Sequence, residues 1–222
     1  MWKSVIYKEW LKVKWFFIIV TLLEIMVAGY VFIKVQHDFK FNEAKNYWYL
    51  ILFMGAPYFG YLKFVPLVSA LAISIAQYFP ETVDKRIKLT FHLPINENKI
   101  LITMMLFGTA CLLAGYLILL AIFYGFSTFF FPSDIIVPAL ISITPWFLSG
   151  FAAYYFVALI VLEPVWKYRF FYIVVAALFL PLFLESASIG SYAPANPVLF
   201  VLVIILSISL LFSGYRFRKG EM

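Results

Sequence analysis

The chain is a succession of long apolar runs separated by short charged stretches, and none of the runs alternates with a period of two. A bilayer-spanning helix needs about 20 mostly apolar residues. Six runs reach or approach that length, at about 15–33, 60–79, 100–124, 135–162, 170–184 and 198–212. The first is interrupted by Glu24, and the fifth is the shortest. Runs this long without alternation exclude a transmembrane β-barrel. The predicted fold class is therefore an all-α integral membrane protein with six transmembrane helices in one domain.

Residues 47–79 are almost continuously apolar, yet too few for two spans and a turn. Tyr47 to Phe59 is rich in aromatic residues, which suit the headgroup belt, and Gly55, Pro57 and Gly60 separate it from the rest of the run. It reads as an interfacial or re-entrant piece leading into the second span.

Two charged segments are patterned. In residues 1–14, Trp2, Ile6, Trp10 and Val13 recur at helical spacing while Lys3, Lys8, Glu9 and Lys12 fall off that stripe. This predicts an amphipathic interface helix with its tryptophan face in the headgroup boundary. Between spans two and three, Pro80 suits the first position of a helix and Glu81 its positive end. Val83, Ile87 and Phe91 form one side, Asp84, Lys85 and Lys88 the other, and Pro94 stops the run. A short helix at about 80–91, lying along the membrane face, is the expectation.

Composition sharpens the class. Hydrophobic residues make up 65% of the 222-residue chain and charged residues 13%, against about 45–50% and about 25% in soluble domains. No room remains for a sizeable soluble domain. Thirteen of the seventeen Lys and Arg residues fall in the N-terminal segment, the 80–99 and 163–169 loops and the C-terminal tail. Lys34, Lys40, Lys45 and Lys63 fall on the other side. By the positive-inside rule both termini are cytoplasmic, and the net charge of +6 belongs to loops that meet anionic lipid. No folded basic face is available for nucleic acid. The first apolar run lacks a small-x-small cleavage site and reads as an uncleaved span. Cys111 is the lone cysteine, which leaves no intramolecular disulfide, and both histidines, His37 and His92, are expected in loops.

The 80–99 loop and its approach carry Gln77, Pro80, Glu81, Lys85, Arg86, Leu89, His92, Leu93 and Pro94. With the six-span layout and the N-terminal interface helix, this segment resembles the first cytoplasmic loop of bacterial type-2 ABC transporter permeases. The resemblance implies that the loop is a coupling helix docking onto a separate ATPase subunit. It further implies that two permease copies pair as a homo- or heterodimer in the bacterial inner membrane. Glu81, Asp84, Lys85, Arg86 and Lys88 would then form the docking surface, with Lys8 and Lys12 as secondary contacts, and 183–197 would be an extracellular re-entrant turn. No G-x-x-x-x-G-K-[ST] motif occurs, so ATP and magnesium would sit on the partner and this chain would bind no cofactor of its own.

The implied function is export of an amphipathic cargo: lipid, glycan, peptide or drug. Intramembrane enzymes are disfavoured, since H-E-x-x-H, G-x-S-x-G and paired intramembrane aspartates are all missing. A carboxylate in mid-bilayer costs about 2.5–3.5 kcal/mol on insertion scales, so Glu24 must face protein or water. It is the substrate-path candidate, and it keeps open an ATP-independent secondary transporter or channel. Lys63 can snorkel to the interface, and Glu163 can pair with Lys167 or Arg169. Ser69, Ala72 and Ala76, and Ser149 with Ala153, form ridges that permit close helix packing within one chain or between two. Pro66, Pro145 and Pro181 are expected to kink or interrupt their spans.

Overall fold

The computed structural model describes residues 2–41, 44–83, 97–185 and 188–219, and among them every regular element is helical. In chain order these are α1 (Trp2–Phe41), α2 (Ala44–Leu52), α3 (Val65–Val83), α4 (Glu97–Phe130), α5 (Ser133–Leu162), α6 (Trp166–Phe179) and α7 (Asn196–Lys219). Short 3-10 turns at Gly60–Leu62 and Leu180–Phe183 lead into α3 and end α6. Five stretches are long and apolar enough to cross a membrane: Lys3–Phe41, Gly60–Thr82, Lys99–Phe130, Ser133–Leu162 and Trp166–Phe183.

Successive long helices run antiparallel. The bundle thus has one end holding the start of α1, the last turn of α3 and the start of α4. At the opposite end lie α2, the turn before α3 and the 188–195 turn. α3 and α5 form the central pair, α1 and α4 close one side of it, and α6 and α7 pack on the far side of α5. In lipid, helices associate by close packing of small residues rather than by escaping water. The observed seams follow that rule. Ser69, Ala70, Ala76, Ser149, Gly150, Ala152 and Ala153 are all buried inside the chain. Of the two expected ridges, Ser69 and Ala76 of α3 and Ser149 and Ala153 of α5 are thus buried within the subunit, whereas Ala72 is only half-buried. Gly150 is required there: a Cβ would collide with the Tyr116 hydroxyl and the Pro66 carbonyl. Tyr116 donates to that same carbonyl at 2.8 Å, fastening α4 to α3 where α5 passes.

Several details differ from the expectations. No break separates an interface helix from the first span, because α1 is one 40-residue helix. At about 1.5 Å per residue it is about 60 Å long, twice the hydrocarbon thickness, so the amphipathic and spanning parts are one rod. His37 consequently lies on α1, stacked on Phe41 at 4.5 Å, and not in a loop. Pro66 stands in the first turn of α3, where its missing N–H deprives no partner, so it does not kink the span. Pro181 sits in the 3-10 turn that ends α6, while Pro138 and Pro145 lie inside α5.

Pro80 does not open a new helix either. It lies within the last turn of α3, which continues to Val83. Of the expected coupling helix only residues 80–83 are described, as the end of α3, and Asp84, Lys85, Arg86 and Lys88 lie outside the described residues. Residues 47–59 form the greater part of the nine-residue α2 and a turn around Gly55, whose φ of +61° suits glycine.

Candidate functional site

The inward face of α1 is read from burial. Val5, Glu9, Val13, Val20, Glu24, Ala28, Val31 and Val35 are all buried, a stripe built mainly on three- and four-residue spacing. Ile6 and Trp10, assigned by sequence to the same face as Val13, are 44% and 40% exposed. These two residues thus face outward, and Glu9, placed by sequence with the solvated lysines, points into the protein. α3 lies antiparallel along this stripe, and α1 meets it and the turn before it through polar groups at three levels.

At the N-terminal end Lys12 is the hub. Its Nζ lies 2.6 Å from Glu9 Oε1 and 2.9 Å from Glu81 Oε1, and donates to the Gln77 carbonyl at 3.3 Å. Three acceptors match the three protons of an ammonium. Lys8 approaches Glu81 Oε1 at 2.8 Å. Two cations and two carboxylates balance, which is the condition for keeping charges away from water. Glu81 occupies the last turn of α3, where the helix dipole disfavours an anion. Its attachment to α1 therefore depends on the two lysines.

Gln77, one turn before Glu81, extends the cluster across the bundle. Its Nε2 donates to Glu9 Oε2 at 3.0 Å and to the Met104 carbonyl at 2.7 Å, and its Oε1 accepts from Tyr154 at 2.8 Å. A tyrosine has one hydroxyl proton, and that of Tyr154 goes to Gln77. The 2.9 Å contact between Tyr78 and Tyr154 must then have Tyr78 as donor. One glutamine so joins α1, α3, α4 and α5. Gly108 makes the approach of α4 possible, since a Cβ there would overlap both the Tyr154 hydroxyl and Gln77 Oε1.

The second level is in mid-bundle. Ser69 donates to Glu24 Oε1 at 2.7 Å and also lies 2.8 Å from the Val65 carbonyl. Glu24 is 1% exposed, and its Oε2 has no hydrogen-bond partner among the described residues. Gly115 leaves the space beside it. At the third level Lys34 donates to the Tyr61 hydroxyl, with Nζ 4.6 Å from that ring's centroid.

The sequence-assigned residues thus separate. Glu81 is fully buried and the Lys12 side chain is 12% exposed, so both are turned inward and neither offers the open docking surface expected of it. Lys8, at 36%, straddles the cluster and the exterior. Glu163 caps α5 and is buried. Its carbonyl accepts from Arg169 Nε at 2.5 Å. Lys63 ends the 3-10 turn before α3, with Nζ 5.5 Å from the Phe64 ring. Residues 188–195 fold back as turns, with Gly190 N–H donating to Ser142 Oγ and Ile189 N–H to the Gly55 carbonyl.

Sequence reasoning missed Glu9, Gln77, Tyr78 and Tyr154 as partners. The available signal was Glu9 lying four residues from both Val5 and Val13, and Gln77 four residues from Glu81. Among the described residues no group of three or more His, Cys, Asp or Glu side chains is placed to hold a metal ion. Comparison with protein-family models, with curated proteins and with solved structures found no match.

Proposed function

We propose that this chain is the membrane-spanning subunit of an ATP-driven transporter, an exporter of amphipathic cargo, working as a homo- or heterodimer with separate ATPase subunits. In this reading the chain is not itself an enzyme. ATP and magnesium belong to the partner, both termini are cytoplasmic, and α7 (Asn196–Lys219) is the sixth span. The observation that carries the reading is the Lys8–Lys12–Glu9–Glu81–Gln77 cluster. It ties the base of α1 to the last turn of α3, directly before the segment bearing Asp84, Lys85, Arg86 and Lys88.

A push received on that segment enters α3 at Val83 and passes to α1 through ion pairs in place of a flexible linker. Lys8, Lys12 and Glu81 therefore transmit the movement, and the docking role falls to Asp84, Lys85, Arg86 and Lys88. Reversing both cations, Lys85→Glu with Arg86→Glu, is expected to abolish co-purification of an ATP-binding subunit from solubilised membranes while the melting temperature stays at the wild-type value. Unchanged recovery of the ATPase would remove these two residues from the docking surface. Recovery of no ATPase with the wild-type chain, even after gentle cross-linking, would overturn the reading itself.

One observation favours a second reading, an ATP-independent transporter or channel. Glu24 stands in the middle of a span with one carboxylate oxygen bonded to Ser69 and the other unpartnered among the described residues. If the reconstituted chain transports by itself and that transport is lost in Glu24→Gln, this second reading replaces the first.

A further inference from the structure

At the end of the bundle opposite the termini, a partly open cavity of about 380 Å³ lies between α1, α2 and the turn that precedes α3. Lys34 and Asp38, one helical turn apart on α1, line it together with Tyr47, Tyr58 and Tyr61, and Val35, Leu50 and Ile51 supply an apolar wall. The cavity lies at the end of the second apolar stretch, the level that a lipid headgroup would occupy beside a spanning helix. Gly60, where the second apolar stretch begins, is one of its lining residues, and the three lining tyrosines, Tyr47, Tyr58 and Tyr61, are of the kind that populates the interfacial belt. Behind it, Tyr58 packs on Phe131 at 4.4 Å, and Trp48 of α2 meets Phe131 edge-on at 5.9 Å.

The two charges are displayed as a dipole. Tyr61 takes one of the three ammonium protons of Lys34, which leaves donors for an anion. Asp38, whose Oδ1 already lies 3.6 Å from His37 Nδ1, and the tyrosine hydroxyls present further acceptor lone pairs. Tyr47 remains a neutral phenol at any physiological pH, because burial first and the Asp38 charge second push it up to about 12. A ligand matching this set carries an anion and an N–H-bearing cation about one helical turn apart, with an apolar tail to lay along Leu50 and Ile51.

We propose that this cavity binds the headgroup of a zwitterionic phospholipid with a primary amine, the phosphoethanolamine type. Lys34 takes the phosphate, and Asp38 with Tyr47 takes the ammonium. A quaternary ammonium has no N–H to give these acceptors, and a purely anionic headgroup meets the Asp38 charge. The site is independent of any ATPase, so it stands or falls separately from the transport reading.

The test is native mass spectrometry of the full-length chain in mild detergent. It is titrated with phosphatidylethanolamine, phosphatidylcholine and phosphatidylglycerol of identical acyl chains. Because charge-assisted hydrogen bonds are the stronger ones, the ethanolamine lipid is expected to be retained about tenfold more tightly than the choline lipid. Asp38→Asn is expected to bring that ratio close to one, and Lys34→Gln to weaken both. Equal retention of the two lipids by the wild-type chain overturns the proposal, as does preference for the glycerol lipid. Displacement by free phosphoethanolamine as effective as by the lipid overturns the lipid assignment. Should the charge variants melt early, Tyr47→Phe, which removes only a hydroxyl, is expected to narrow the preference, and an unaltered ratio there removes Tyr47 from the site.

Discussion

Lys12 is the residue on which most depends. Among the described residues it is the only group that touches Glu9, Glu81 and the Gln77 carbonyl together, and removing it takes from buried Glu9 its cation and leaves Glu81 with the half-exposed Lys8. Breaking a buried pair by deleting one partner costs about 3–5 kcal/mol. Lys12→Met is therefore expected to lower stability by that amount, read as the melting midpoint of the purified chain. Lys8, 36% exposed and bonded to the same carboxylate, is expected to cost about 0–1 kcal/mol on change to alanine. Equal losses for the two variants would show that the cluster is not organised around Lys12. Little of this was legible beforehand. The pattern marked Glu9 as polar and so as solvated, because in a helix surrounded by lipid the outward face is as apolar as the inward one. Burial cannot then be read from hydrophobicity alone, and only the presence of α3 distinguishes the two faces.

At the scale of elements the seam between α1 and the α3 segment is decisive. Its polar contacts fall at three levels, Lys8, Lys12 and Glu9 with Gln77 and Glu81, Glu24 with Ser69, and Lys34 with Tyr61, spaced along the length of the seam. α1 is thus held in one register against α3 and the turn before it. The continuity of α1 is part of the same device. Proline in a helix interior costs about 3 kcal/mol or more. Lys14→Pro is accordingly expected to destabilise the chain by that much and to detach residues 2–13 from α3. If a separate interface helix ended at residue 14, the same substitution would be nearly neutral in a melting experiment. The end of α3 depends on the same seam. Pro80 by itself suggests a helix start, but Glu81 is fastened to two lysines of α1, and that attachment holds the last turn helical past the proline.

For the whole molecule the expected orientation rests on the distribution of Lys and Arg, thirteen on one side and four on the other. With Cys111→Ser removing the native thiol, a membrane-impermeant maleimide added to intact cells is expected to label Ser191→Cys and to leave Lys3→Cys unlabelled. The reverse pattern would invert the topology and place the Lys34–Asp38 cavity on the cytoplasmic side. The outward faces of α6 and α7 remain broadly apolar, with Trp166, Phe170, Leu178, Val198 and Phe200 all more than half exposed, as surfaces that meet lipid must be.

Several long apolar runs, of the length and polarity a membrane demands, and the helical class were determined by the chain taken alone. The physical reason is that a bilayer imposes one length and one polarity on whatever crosses it, and both are properties of contiguous residues. The partners were decided only by tertiary structure. Which face of α1 turns inward, why Gly108 and Gly150 must lack a side chain, and that Glu81 answers to Lys12 are relations between helices distant in sequence. They exist only once α1, α3, α4 and α5 are packed, because hydrogen bonds and ion pairs act over about 3 Å and carry no trace in the spacing of either helix by itself.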